Sequence, residues 1–218
     1  MLQTAERTTT VPTLTVQQAA VLVAAPLVAI TARLLATPVY QHDDNSPDHV
    51  RYLAEVAEHA VRNDVGGAIT LVSAMLYAAA AVIVGGVAAA RFARAGRIGG
   101  ILAAAGAFGL AAWGAMIAFA AQAARSDDRD AMVALLDASY DATGTNIYYG
   151  VILLGALGWM ILGVCLYRSR AVPRLAAVLT SLGGAAVLAT APGPLMPFIV
   201  GAAVVSLAGL GWVAAARR

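Results

Sequence analysis

Residues 65–121 read VGGAITLVSAMLYAAAAVIVGGVAAARFARAGRIGGILAAAGAFGLAAWGAMIAFAA. Arg91, Arg94 and Arg97 split this stretch into two apolar runs, 65–90 and 98–121. Each run exceeds the roughly 20 residues that cross a hydrocarbon core. An uncharged run of that length reads as a membrane span, and the arginine-bearing link between two such runs reads as a short loop at one membrane face.

The same pattern extends outward to both ends. Four further apolar runs lie at 14–35, 147–167, 175–191 and 195–216, which predicts six transmembrane helices. The fifth is the shortest, and Ala191-Pro192-Gly193-Pro194 separates it from the sixth. That tetrapeptide cannot continue a helix, so the last two runs form a tight helical hairpin; five spans with one long bent helix is the alternative. Composition agrees: 61% of residues are hydrophobic, 12% are charged and the mean hydropathy is +0.78. A soluble domain carries about 25% charged residues, whereas a lipid-facing surface needs few. The expected fold class is therefore an all-α membrane protein of six transmembrane helices with two short amphipathic outer helices. A disordered cytoplasmic tail at 1–13 precedes a single membrane domain at 14–218.

Two absences limit the chemistry. All fourteen basic residues are arginine, so no lysine exists to form a Schiff base with retinal, pyridoxal phosphate or a carbonyl substrate. Cys165 is the single cysteine, which excludes an intrachain disulfide, a C-x-x-C redox pair and a multi-cysteine metal centre. In its apolar run it reads as a small buried hydrophobe.

Arginine also sets the orientation. Arg91, Arg94 and Arg97, then Arg168, Arg170 and Arg174, then Arg217 and Arg218 all fall on one side, and with Arg7 and Glu6 of the tail that side carries nine Arg against one acid. The other side carries five Arg against eleven acids. The positive-inside rule makes the first side cytoplasmic, with both termini there. The first run is too long for a signal-peptide core, and Arg7 is its only upstream base, so it reads as a retained span rather than a cleaved leader.

The acidic side holds the distinctive motifs. Ser46-Pro47-Asp48 has the form of an N-cap, a first-turn proline and a first-turn acid, predicting an outer helix near 47–63. Val50, Leu53, Val56, Ala57, Ala60 and Val61 would share its apolar face, and Asp48, Tyr52, Glu55, His59 and Arg62 a polar stripe. A second outer helix near 126–142 would start at Ser126, with Met132, Leu135, Leu136, Ser139 and Tyr140 on one face and Asp130, Asp137 and Asp141 on another.

These stripes provide the only acid–base or metal constellation. His49, Glu55, His59, Asp137 and Asp141, with His42, Asp43 and Asp44 nearby in sequence, could supply imidazole and carboxylate ligands to zinc or manganese if the two outer helices face each other. No H-E-x-x-H pair is present, and a solvated helix face explains the same residues. No cofactor is expected; a divalent metal is the alternative.

Inside the bilayer ionisable side chains are scarce. Arg33, near the outer end of the first span, is the exception. It reads as a snorkelling arginine, a partner for Asp64, or an anion-binding group. Tyr148, Tyr149 and Trp212 fall at expected interfaces, where aromatic belts are ordinary. Trp113 and Trp159 lie deeper and would contact an apolar ligand if they shared a cavity. Gly106, Gly109, Gly114, Gly155, Gly158 and Gly163 permit close helix approach, and the same faces could pair with a membrane partner subunit or a second copy. Nucleic-acid binding is excluded by few, dispersed inner arginines that topology already explains.

Glu58-His59-Ala60-Val61-Arg62-Asn63-Asp64 before the second span and Leu166-Tyr167-Arg168-Ser169-Arg170-Ala171-Val172-Pro173-Arg174-Leu175 after the fourth resemble a widespread bacterial six-helix integral membrane family known only as a domain of unknown function. The resemblance runs from the first span to the C-terminus. It implies six spans in a bacterial cytoplasmic membrane and transfers no reaction, cofactor or catalytic residue. The expected function is non-catalytic binding of a hydrophobic ligand or partner subunit. The alternatives are an outer-face metal-dependent enzyme and a small-solute transporter built on Thr70, Ser73, Tyr77, Thr180, Ser181, Thr190 and Ser206.

Overall fold

A computed structural model of the chain describes residues 13–37, 47–140, 142–189 and 196–217. Eight helices occur among them: α1 (Val16–Leu35), α2 (His49–Glu58), α3 (Ala60–Ala89), α4 (Ala93–Ala123), α5 (Arg129–Tyr140), α6 (Thr143–Ser169), α7 (Arg174–Ala189) and α8 (Met196–Ala216). Against six expected spans, four helices are long and apolar enough to cross a membrane: α1, α3, α4 and α6. The other two expected spans are apolar but shorter, over Arg174–Leu188 and Val200–Ala216. With 16 residues, α7 extends only about 24 Å at 1.5 Å per residue, less than a hydrocarbon core of about 30 Å. The Pro-Gly stretch before α8 and nearly all of the tail at 1–13 lie outside the described residues.

The six apolar helices form a closed ring. Each packs on the next in the order α1, α3, α4, α6, α7, α8, and α8 returns to α1. Local sequence explains the start of α1. Thr15 and Gln18 form a reciprocal capping box on α1, satisfying two backbone amides that the helix leaves unpaired. The backbone amide of Leu14 donates to the carbonyl of Arg217 at 2.8 Å, joining the start of α1 to the end of α8.

Ring contacts depend on missing side chains. Gly106 of α4 and Gly155 of α6 face each other backbone to backbone, and a Cβ on either would clash with the Cα of the other. Such contacts let van der Waals packing and Cα–H donors hold helices where the hydrophobic effect gives no drive. The outward surfaces instead carry exposed Met75, Ile101, Phe108, Leu153 and Phe198, as a lipid-facing surface requires. The chain is a multi-pass membrane protein.

The outer helices depart from expectation. α2 ends at Glu58, and residues from Ala60 belong to α3, because His59 breaks the helical path at φ −129° and ψ 31°. The helix expected to run to residue 63 is thus two helices with a corner. The cap is Asp48 rather than Ser46: its Oδ1 accepts the Arg51 amide at 2.9 Å. On α5 the cap is Asp128 rather than Ser126, its Oδ1 accepting the Ala131 amide at 3.0 Å. A carboxylate outcompetes a hydroxyl here because it also favours the positive helix end.

The buried face of α2 is also rotated. His49, Tyr52, Leu53 and Val56 are buried, whereas Val50 and Val61 are exposed. Tyr52, Leu53, Val56 and Leu136 of α5 join Ala120, Ala121, Ala123 and Ala124 in a small second core over the end of α4. A tyrosine ring buries more area than a valine, so the face that includes it wins.

Candidate functional site

The corner at His59 holds a buried polar contact with three hydrogen bonds. Asn63, fully buried in the first turn of α3, accepts the Thr37 amide through Oδ1 at 2.7 Å and donates through Nδ2 to Thr37 Oγ1 at 2.8 Å and to the His59 carbonyl at 3.2 Å. One amide side chain thereby ties the end of α1 to the start of α3. Nothing in the sequence pattern singles it out, since an Asn before an apolar run also reads as an ordinary helix end.

At the opposite end of α2 the structure joins two of the candidate metal ligands. His49 Nδ1 and Asp137 Oδ1 lie 2.6 Å apart, linking α2 to α5. His49 is buried, and Asp137 is 59% exposed. Glu55 is half-buried and His59 is exposed at the corner. Six residues along a helix rotate Glu55 by about 120° from His49, which separates the two. Asp141, His42, Asp43 and Asp44 lie outside the described residues. Among the described residues no group of three His, Cys, Asp or Glu gathers at metal-binding distance. An acid–imidazole pair can fix a tautomer and clamp two helices, but alone it offers no metal cage. Beside it, burial pushes the Tyr52 phenol up to about 12, so it is a neutral packing group.

The candidate ligand residues occupy different levels of the ring. Arg33 is buried near the C-terminal end of α1. The Tyr77 hydroxyl donates to Ser206 Oγ at 2.9 Å, coupling α3 to α8. Trp159 is fully buried, edge-on to Tyr77 with ring centroids 6.2 Å apart and an interplanar angle of 87°. Its indole packs directly against Gly184. Trp113 is half-buried on α4, ten positions from Ala103, which lies at the level of Gly158. Ten residues advance about 15 Å, so the two tryptophans do not line one cavity.

Concave surface lies elsewhere, on the arginine-bearing half. A groove of about 690 Å³ between α3 and α4 is lined by Val82, Gly86, Ala89, Gly100, Ile101 and Phe108, with Arg97 at one end. A second, of about 370 Å³, lies between α4 and α6, with Phe92, Leu157 and Met160 on its walls and Arg168 at its end. A third, of about 210 Å³, lies between α6 and α7 beside Tyr167, whose ring carries the Arg174 guanidinium 5.4 Å from its centroid. Sequence reasoning missed these sites because their linings are apolar residues, with glycine and alanine prominent in the α3/α4 groove, which read only as packing residues.

No curated protein and no solved structure matches the chain. A family model described as "Domain of unknown function (DUF4386)" matches residues 18–215, from the first turn of α1 to the last turn of α8. The chain therefore belongs to the DUF4386 family.

Proposed function

We propose that this protein is a non-catalytic membrane bundle that binds a hydrophobic ligand in the groove between α3 and α4. The observation that carries the reading is the groove itself. Its volume of about 690 Å³ falls in the range of small-molecule sites, about 300–1,000 Å³, and its walls are apolar apart from Arg97. Catalysis at the outer face has weaker support, because among the described residues no third candidate ligand joins His49 and Asp137.

The bundle would sit in the membrane as six spans. α7 and α8 belong to the same closed ring as the four longer helices, and the Leu14–Arg217 hydrogen bond places the two chain ends together, which favours an even number of crossings. The excess of arginine at that end favours a cytoplasmic location for both termini in a bacterial cytoplasmic membrane.

Gly86 gives a clean test. It lines the groove, and a Cβ added there meets nothing within 4 Å, so Gly86→Leu fills the site without displacing a neighbour. Gly201 on α8 is equally open and lies outside the groove, making Gly201→Leu the control. Mass spectrometry of organic extracts should find a co-purifying apolar molecule on wild type and Gly201→Leu, and its loss from Gly86→Leu. Equal retention by all three proteins, or none by wild type, removes the groove as a ligand site.

A second reading, passage of a small neutral solute, draws on the buried polar groups between the helices. Ser73 Oγ, Thr180 Oγ1 and Trp159 Nε1 are buried without a hydrogen-bond partner among the described residues, and Tyr77 and Ser206 are buried with them. Solute-induced swelling of proteoliposomes, absent from protein-free liposomes, would favour that reading.

A further inference from the structure

The positions of the grooves and the arginines coincide, and among the described residues no acid pairs with Arg97 or Arg168. No acid occurs between Asp64 and Asp127, so the charged residues of 65–126 are Arg91, Arg94, Arg97 and Arg125 alone. Arg97 is exposed where the α3/α4 groove ends. It makes no hydrogen bond or ion pair among the described residues. A guanidinium at the polar end of an apolar, laterally open groove is the complement of one molecular class, an acyl chain bearing a phosphate.

We infer that the α3/α4 groove is a binding site for an anionic phospholipid, with an acyl chain over Gly86 and Gly100 and the headgroup phosphate on Arg97. This rests on the hydrophobic-ligand reading and names the ligand class. A lipid is the occupant because the groove opens on the surface that exposes Val82, Ile101 and Phe108, which faces the bilayer rather than water. The depth arises at Gly86, where a Cβ would meet nothing within 4 Å and a chain has room beside the helix pair, while Gly100 lets α4 lie close against the α3 backbone at Gly85. The α4/α6 groove repeats the arrangement independently, with apolar walls from Leu157 and Met160 ending on Arg168. Basic pockets between spans are a recognised means of holding anionic lipid headgroups on the arginine-rich side of a membrane.

The test uses the full chain in mixed micelles containing equal phosphatidylglycerol and phosphatidylcholine with identical acyl chains. Retained lipids are counted by native mass spectrometry. Wild type should retain phosphatidylglycerol about fivefold over phosphatidylcholine, equivalent to about 1 kcal/mol for one arginine at an anionic surface. Arg97→Gln should lower that preference while leaving the number of bound lipids unchanged. The double variant Arg97→Gln/Arg168→Gln should bring it to parity.

Gly86→Leu should lose a lipid of either headgroup, and Gly201→Leu should lose none. No headgroup preference in wild type, or an unchanged preference in Arg97→Gln, overturns the phospholipid assignment while the groove still binds an apolar ligand. Lipid counts that are identical in wild type, Gly86→Leu and Gly201→Leu overturn the groove and the assignment together.

Discussion

The α4/α6 seam and the α2/α5 cap use opposite means to hold helices together. At the seam Gly106 and Gly155 meet backbone to backbone. At the cap a small cluster around Tyr52, Leu53 and Leu136 is tied by the His49–Asp137 pair, one partner of which is largely in water. Close backbone packing cannot yield without shifting a whole helix, whereas a partly exposed polar clamp can open locally. The seam should therefore fail globally and the cap locally.

The largest expected effect tests the seam. Gly106→Leu places a branched side chain where even a Cβ meets the Gly155 backbone, so it should destabilise the bundle by about 3 kcal/mol or more. Loss of a monodisperse peak and a markedly lower thermal midpoint in detergent would be the readout. Gly86→Leu and Gly201→Leu, with open Cβ positions, should behave as wild type. A Gly106→Leu protein that is equally stable would mean the helices stand further apart than the glycines indicate.

The α1–α3 staple lies between the two extremes. Asn63→Leu removes three hydrogen bonds and leaves the Thr37 amide buried and unpaired, at a cost of about 2 kcal/mol. Asn63→Asp can still accept from the Thr37 amide but cannot donate, so it should fall between wild type and Asn63→Leu at neutral pH. If thermal unfolding ranks the two variants the other way, volume rather than hydrogen bonding holds this corner.

A smaller and more local effect is expected at the cap. His49→Gln and Asp137→Asn should each reduce stability by about 1 kcal/mol at most, since Asp137 is 59% exposed and its charge is screened. The informative readout is hydrogen–deuterium exchange, which should rise in α5 while the α4/α6 seam stays protected. Faster exchange throughout the ring would show that the cap is coupled to the bundle and that the contrast between the two regions is false.

This contrast also explains what the sequence reveals. Apolar run length depends only on composition, so α1, α3, α4 and α6 are legible at once, with ends displaced by a few residues. Residues 47–63 hold a single apparent period, yet the chain turns at His59, where Asn63 bonds to Thr37, just beyond the end of α1. A long-range bond leaves no periodic trace. The His49–Asp137 contact joins residues that were both candidates, but pairing across 88 positions cannot be read from spacing along either helix. The grooves were least legible, since they consist of side chains that are absent at Gly86 and Gly100.

The smallest expected effect is at the end of α6, where the arginine-rich motif has a structural role that charge alone does not suggest. Arg170 has φ 52° and ψ 27°, the left-handed conformation that usually belongs to glycine at a helix end. Ser169 holds the turn, its hydroxyl donating to the Leu166 carbonyl at 3.0 Å and accepting the Ala171 amide at 3.2 Å. A Cβ in this conformation costs about 1–2 kcal/mol, while glycine returns about 0.5–1 kcal/mol of that through its greater freedom in the unfolded chain. Arg170→Gly should therefore stabilise the protein by about 0.5 kcal/mol, a rise of a degree or two in thermal midpoint. Arg168 and Arg174 remain to hold the loop on its side of the membrane, so orientation should not change. A measurable loss of stability would mean that the Arg170 guanidinium contributes more, through lipid phosphate, than its backbone strain costs.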